Sequence, residues 1–325
     1  MKTSEKIIKY ISEHDQARGK ELADFLDITD RAVRKHLKVL LDNGILTKIG
    51  KPPQVFYLIK QKKNSSFVDK TTVGEETIKT IDQNFLYISP QGVKIDGWNG
   101  FVEWCQKGRF APIDKAVEYI SIYKKYNLLK HEGLISGKQK IIKTFKDKNC
   151  LNNVFYTDFY AWEIFGKTRI GQLLLYAKQS QSKAMIKDLI LEIKPIIENF
   201  IKKKNIDAVG FIPATVKREV QFMKVFQEIL NLKLPIIEIK KAKTEIITPQ
   251  KTLNKLQDRI ENATNTIFVT EKKQYKNILL LDDAMGSGAT LNQVACKIKK
   301  VVEAKNVYGL ALTGSIKGFD VISEV

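Results

Sequence analysis

The sequence predicts an α/β protein with a mostly parallel sheet covered by helices on both faces, preceded by a small helical domain. Three observations carry this. From about residue 151 onward, short apolar runs alternate with helical patterns, as strands joined by crossover helices do. Residues 278–281 (Ile-Leu-Leu-Leu) are apolar at every position, as a central strand buried on both faces requires. Residues 1 to about 62 read instead as three short helices and two strands, a separate and smaller plan.

Ser4 can cap a first helix whose apolar positions are Ile7, Ile8 and Ile11. Residues 18–26 (RGKELADFL) read as a second helix. Asp27-Ile28-Thr29 is a tight turn, and Thr29 can cap a third helix from Asp30 to about Asn43. On that helix Val33, Leu37, Leu40 and Leu41 form the buried stripe, while Arg31, Arg34, Lys35 and Lys38 lie largely off it. Gly44 stands where a helix ends. Residues 45–49 and 54–59 read as strands joined by Gly50-Lys51-Pro52-Pro53. Three helices and a basic-tipped hairpin resemble a winged helix-turn-helix of the bacterial transcription-regulator type. The resemblance implies that the third helix enters the major groove of double-stranded DNA and the wing touches backbone. Arg31, Arg34, Lys35, Lys38, Lys48 and Lys51 are then the DNA-binding candidates. The alternative is a winged helix used for protein contact or dimerisation. His14 and His36 lack a partner at metal-ligand spacing and read as surface residues.

The net charge of +19 favours a polyanionic partner, nucleic acid first, although a Lys-rich proteome would raise charge without any target. Residues 1–63 hold 14 Lys and Arg against 8 Asp and Glu, a net of +6, so the positive charge is present here but not confined here. With 43% hydrophobic residues, 325 residues suffice for two or three cored domains. The absence of an N-terminal apolar segment, and of any run long enough to span a bilayer, gives the expectation of a cytoplasmic protein with no membrane partner. Cys105, Cys150 and Cys296 are odd in number and far apart; they suggest reduced thiols rather than a disulfide framework or a zinc knuckle.

Residues 61–75 are polar and read as a linker. Residues 76 to about 150 are the least legible. A helix running into a strand over 77–87, a turn-rich piece, and helical patterns at 115–126 and 138–145 can be read. Trp98, Phe101, Trp104 and Phe110 have a spacing more often found in cores than in base-stacking platforms. This region is given a structural or oligomerising role and no chemistry. The organisation is then 1–62, 63–150 and 151–325. In the last part, residues 170–177, 184–202, 219–230 and 253–262 read as helices. Residues 207–213, 235–239, 267–269, 278–281, 307–313 and 321–325 read as strands.

After the apolar run at 278–281 come Asp282 and Asp283, the small-residue loop Ala284-Met285-Gly286-Ser287-Gly288-Ala289, and Thr290, where a helical pattern begins. Strand, acidic pair, Gly-rich loop and helix start make a phosphate cradle. The carboxylates suit ribose hydroxyls or a nearby magnesium ion, not phosphate itself. The alternative is a plain strand–turn–helix with an acidic turn. The motif is neither a P-loop nor a Rossmann fingerprint.

Its order resembles the thirteen-residue motif with which type I phosphoribosyltransferases bind 5-phosphoribosyl-1-pyrophosphate (PRPP). Residues 171–180 (GQLLLYAKQS), 211–222 (FIPATVKREVQF) and 249–268, with Gln250, Leu253, Arg259, Asn262 and Phe268, are similar in order to the competence-protein ComF branch of that family. The likeness spans about residues 165–315. It departs in lacking the zinc-binding Cys cluster, in having Arg218-Glu219-Val220-Gln221-Phe222 for the usual Arg-Gly-Phe-Asn, and in a longer spacing before Arg259. The resemblance implies PRPP ribose on Asp282 and Asp283 and its 5-phosphate on Ala284, Met285, Gly286, Ser287, Gly288, Ala289 and Thr290. It implies pyrophosphate on Ala214, Thr215, Val216, Lys217 and Arg218, and Mg2+ carried by PRPP near the acidic pair without dedicated protein ligands. Lys251, Lys255 and Arg259 could close over the site, or form a solvated basic helix. Two functions follow. One is a transcription regulator, a homodimer that senses PRPP or a nucleotide, as in bacterial regulators that join a winged helix to this fold. The other is an active phosphoribosyltransferase acting on a nitrogen base, with the winged helix as accessory. A DNA-uptake or repair role is a third possibility, by fold analogy alone.

Overall fold

The chain divides into two compact units, residues 1–68 and 69–325, and among the described residues each has a hydrophobic core of its own. The computed structural model describes residues 2–60, 73–216, 218–242, 252–253, 255–271 and 273–315. The linker segment 61–72, Lys217, Gln250, Lys251 and the strand expected at 321–325 lie outside them.

The first unit contains α1 (Thr3–His14), β1 (Ala17–Arg18), α2 (Gly19–Leu26), α3 (Asp30–Asp42), β2 (Leu46–Lys51) and β3 (Gln54–Ile59). Ile7, Ile11, Leu22, Val33, Leu37, Leu40 and Leu46 fill its core. The hairpin of β2 and β3 gains a third strand, β1, which pairs antiparallel with β3. Sequence reading placed Arg18 of β1 in the second helix, because a strand of two residues carries no periodicity. Ser4 does not cap α1, which begins at Thr3. Its hydroxyl instead lies 3.3 Å from His36 Nδ1, so His36 is half-buried rather than a free surface residue. Gly50, at φ +92°, is required at the hairpin tip, where a Cβ would sit 2.1 Å from the Gln54 carbonyl oxygen.

The second unit begins with α4 (Glu75–Asn84), β4 (Leu86–Ile88), β5 (Lys94–Asp96), α5 (Gly97–Lys107), α6 (Pro112–Asn127), β6 (Lys130–His131), β7 (Leu134–Ser136) and α7 (Lys138–Phe145). It continues with β8 (Asn153–Phe159), β9 (Ala161–Trp162), β10 (Gly166–Lys167), α8 (Arg169–Ser180), α9 (Lys183–Lys204), β11 (Ala208–Phe211), α10 (Phe222–Leu230), β12 (Ile236–Ile237) and β13 (Ile239–Lys241). It ends with α11 (Leu256–Thr266), β14 (Ile267–Val269), β15 (Asn277–Met285), α12 (Ala289–Val301) and β16 (Asn306–Gly314). The main sheet has the order β12-β11-β15-β16-β8-β7-β6. Its first five strands are parallel, and β7 and β6 close the far edge antiparallel. The sheet therefore runs back across residue 150 into the segment that sequence reading could not resolve. The strand expected at 267–269 leaves the main sheet and pairs with β13.

Alternate residues of the parallel strands face opposite layers. Val209, Phe211, Leu279, Leu281, Leu310 and Leu312 pack with α8, α9 and α10. On the other face Gly309 lies under Leu291 of α12, and Val154 and Tyr156 lie near Gly137 at the start of α7. Both faces are covered, which explains the unbroken apolar run of β15. Of the aromatic residues expected to form core, Trp98 and Phe101 are buried and Trp104 is half-buried, and Phe101 packs with Phe85, Trp104, Tyr119 and Phe165; Phe110, past the end of α5, instead lies 41% exposed against Trp104. No helix among the described residues is long and apolar enough to cross a membrane.

The cysteines depart from expectation. Cys150 and Cys296 form a disulfide, their Cα atoms 5.0 Å apart across 146 residues of sequence. It joins the segment entering β8 to α12. Asn292, one turn earlier on α12, accepts the Cys150 backbone N–H at 2.8 Å and donates to the Lys148 carbonyl at 3.0 Å, so it seats the same segment. Spacing along the chain could not reveal a pair that only strand order brings together. Cys105 is buried and unbridged, and burial pushes its thiol up to about 12. A crosslink closing so long a loop restricts the unfolded chain strongly, by about 3–5 kcal/mol in the chain-entropy account. Reduction, or Cys296→Ser, is expected to lower the Tm of the full chain by about 5 °C or more. A scanning-calorimetry trace unchanged by reductant would contradict this.

Candidate functional sites

The exposed face of the first unit is built by α3. Thr29 caps it, its hydroxyl accepting the Ala32 N–H at 3.3 Å. Val33, Leu37 and Leu40 turn inward, which forces Arg31, Arg34, Lys35 and Lys38 outward, and all four are exposed. Lys48 and Lys51 are exposed on β2. All six candidates thus stand on solvent-facing surfaces of α3 and β2. Arg18, not singled out from sequence, lies over the Phe56 ring at 4.7 Å and fastens β1 to the wing strand.

In the second unit, β11 and β15 are parallel neighbours, and the chain leaves them in opposite directions. From β11 it passes through α10 to β12 at one edge; from β15 it passes through α12 to β16 on the other side. Helices α10 and α12 lie on opposite faces of the sheet. Such a divergence opens a crevice beyond the carboxyl ends of the two strands, where open α/β sheets bind ligands. Residues 212–216 and 286–288 follow those strand ends.

The acidic pair lies within β15, not after it. Asp282, Ala284 and Met285 stay in register with Ala311, Thr313 and Gly314, because β16 is long enough to carry the ladder past Leu281. The turn shrinks to Gly286, Ser287 and Gly288, and α12 starts at Ala289, with Thr290 in its first turn. Ser287 Oγ accepts the Ala289 N–H at 3.3 Å. Gly288 has φ +78°, a conformation that favours glycine, and a Cβ there would lie 2.5 Å from Ile141 Cδ1, whose side chain would have to shift.

Alternation sends the two carboxylates to opposite sides. Asp283 shares the face of Leu281 and meets Lys178 of α8, with Nζ–Oδ2 at 2.6 Å. Asp282 Oδ1 accepts the Asp283 N–H at 2.8 Å. Burial, then the neighbouring Asp283 charge, raises the Asp282 carboxyl well above the usual carboxylate range. Lys178 also acts through its backbone, where its carbonyl accepts a hydrogen bond from Arg218 Nη1. One residue of α8 therefore joins the acidic pair to the loop after β11. Sequence reading missed Lys178, although a signal existed. It falls four residues after buried Leu174, a cation continuing an apolar stripe, and so needs a partner.

Ala214 and Val216 are exposed, and the Thr215 hydroxyl lies 3.1 Å from Lys241 Nζ. Lys255 and Arg259 stand at the start of α11, a helix fastened to α12 through Thr264, Gln293 and Lys297. Arg259 Nε donates to the Leu253 carbonyl at 2.6 Å. These two candidates belong to a packed helix rather than to a free loop. Two strands away, buried Asp158 pairs with Lys130 at 3.0 Å, and the buried Thr313 hydroxyl beside it in register makes no hydrogen bond among the described residues. Neither carried a signal in sequence. Among the described residues no group of three or more His, Cys, Asp and Glu is placed to hold a metal ion.

The family model of a winged helix-turn-helix DNA-binding domain matches residues 2–47. No curated protein matches the chain. The chain therefore carries an N-terminal winged helix-turn-helix DNA-binding domain, followed by an α/β unit with a large, mostly parallel sheet.

Two outcomes follow. Arg34→Ala and Lys35→Ala are expected to weaken duplex binding, each reducing the salt slope of log K by about 1, with folded content unchanged. Binding isotherms at several salt concentrations check this; unaltered slopes would contradict it. For Asp282, the raised native pKa means that the native state binds more protons than the unfolded chain. Its ionisation therefore costs stability as pH rises from the ordinary carboxylate range toward the raised native value. Asp282→Asn is expected to raise Tm by about 2 °C or more at pH 8.5 and by less at pH 5. A variant that loses stability equally at both would contradict the assignment.

Proposed function

We propose that this protein is a transcription regulator whose α/β unit senses a phosphorylated ribose, PRPP or a nucleotide, and whose winged helix reads DNA. The observation that carries the ligand half is the divergence of the chain after the paired strands β11 and β15, with a carboxylate pair, a glycine turn and a helix start at the end of β15. The 5-phosphate would take the N–H groups of Ser287, Gly288 and the first turn of α12, which lack intrahelical acceptors and carry the positive end of the helix dipole. Ribose hydroxyls would donate to Asp282 and Asp283. The pyrophosphate would lie along Ala214–Val216, with Lys217 and Arg218 supplying charge.

The residues fit a magnesium ion brought by the ligand. A half-buried carboxylate whose ionised form is disfavoured by burial and by its neighbour gains from a divalent cation, and Lys178 already neutralises Asp283. Bound magnesium would offset pyrophosphate charge. The protein's own part is to hold Asp283 by Lys178, to hold Arg218 at the Lys178 carbonyl, and to keep Asp282 available for hydroxyl donors. The fusion of such a site to a DNA-binding domain favours sensing. A sensor needs unequal ligand affinity for its DNA-competent and DNA-incompetent states.

PRPP with magnesium is expected to raise Tm, and Asp282→Asn/Asp283→Asn to remove most of that rise, each form being compared with itself unliganded. PRPP is also expected to change affinity for cognate duplex by about fivefold or more, and duplex to change PRPP affinity by the same factor. Titrations of PRPP with and without duplex, at fixed salt and magnesium, read this. Superimposed isotherms would rule out the sensor reading, and steady pyrophosphate release with one added base would establish the transferase instead.

A further inference from the structure

We infer that the Cys150–Cys296 bond is a reversible thiol switch that sets how firmly the segment entering β8 is held to α12. A disulfide in a chain with a DNA-binding domain calls for a reason, because DNA is kept where thiols are reduced, and disulfides found there are usually transient or redox-sensing. The surroundings of the pair supply the chemistry of exchange. Both cysteines are half-buried, so a small thiol can reach a sulfur. Cys105 by contrast is fully buried, and burial pushes its thiol up to about 12, so it takes no part at neutral pH. Within five positions of the pair along the chain stand Lys146, Lys148, Lys297, Lys299 and Lys300 against one acidic residue, Asp147. Lys297 is turned to the Thr264 and Ile267 carbonyls, while Lys146, Lys148 and Lys300 are exposed. Positive charge beside a cysteine favours its thiolate, the leaving group in reduction and the nucleophile in reoxidation. The same charge attracts an anionic thiol such as glutathione.

The fold is arranged to survive the open state. Asn292 holds the segment without help from sulfur, through the Cys150 N–H and the Lys148 carbonyl. That carbonyl also lies 4.0 Å from Cys150 Sγ and 3.9 Å from Cys296 Sγ, an acceptor ready for a thiol S–H. Two freed thiols therefore stay side by side and can close again. In reduction a small thiolate attacks one sulfur and the other cysteine leaves as a thiolate. A second small thiolate then displaces the first cysteine. Two electrons pass from the two small thiols to the bond, their protons pass to the cysteines, and one small-molecule disulfide is released; oxidised glutathione reverses each step. What changes is the tether. α12 begins at the glycine turn after β15, and Ile141 of α7 packs against Gly288, so the opened bond frees the connection from α7 to β8 against α12. The consequence for ligand rests on the function proposed above: a looser α12 raises the ordering cost of holding an anion, and the oxidised form binds more tightly.

The test equilibrates the folded full chain over a series of ratios of reduced to oxidised glutathione, traps free thiols with a maleimide and counts them by mass spectrometry. Cys150 and Cys296 are expected to pass together from bonded to free within the series while circular dichroism stays native. On reduction, amide exchange in residues 146–152 and α12 is expected to quicken by about tenfold, with the winged helix unchanged. Cys150→Ser/Cys296→Ser is expected to match the reduced form at every ratio. A bond that opens only once the chain unfolds would overturn the proposal, as would equal amide exchange in the two forms. PRPP with magnesium is expected to raise Tm more in the oxidised form than in the reduced one, each compared with itself unliganded. An equal rise in both would overturn the coupling to the cradle. No rise in either would count against the ligand reading, and the thiol counts and amide exchange would still decide the switch.

Discussion

β15 is hydrogen-bonded to parallel strands on both sides, β11 and β16, and the site depends on that pairing. Because it is central, its core positions are apolar on both faces. Because β16 runs as far as Gly314, the ladder continues past Leu281 and holds Asp282 and Asp283 in extended backbone. Because its other neighbour is β11, the loop that follows β11 opens at the same end of the sheet. An edge position for β15 would leave the same thirteen residues without a facing loop and without the covering layers that desolvate Asp282.

Three elements hold the turn after β15. Helix α8 supplies Lys178 to the acidic pair and its carbonyl to Arg218. Helix α7 lays Ile141 where a Gly288 side chain would be. The disulfide and Asn292 fasten the segment between α7 and β8 to α12, so the helix that begins the cradle and the helix that packs on its glycine share one anchor. Charge, packing and a covalent bond thus converge on residues 282–296. Preorganisation of this kind would lower the ordering cost of binding the anionic ligand proposed above.

The DNA-binding unit follows a simpler rule. One apolar stripe on α3 fixes which side of the helix is inside, and the basic residues take the side left over. Periodicity alone sorts them, and so Arg31, Arg34, Lys35 and Lys38 are on exposed surface.

What the sequence determined by itself is what short-range pattern encodes. That includes α3 and its cap, the wing, the burial of β15, the glycine turn, and the core role of Trp98 and Phe101. Each follows from the spacing of apolar residues or from a conformation only certain residues adopt. Tertiary structure decided the rest. It ended the turn at Gly288 and not at Thr290, because the length of β15 is set by its partner β16. It recruited Lys178 from a helix about a hundred residues upstream. It joined Cys150 to Cys296, and it drew β6 and β7 from an illegible region into the main sheet. These depend on which strands become neighbours. That choice is made by burying two faces of one sheet at once, and no local stretch of sequence carries it.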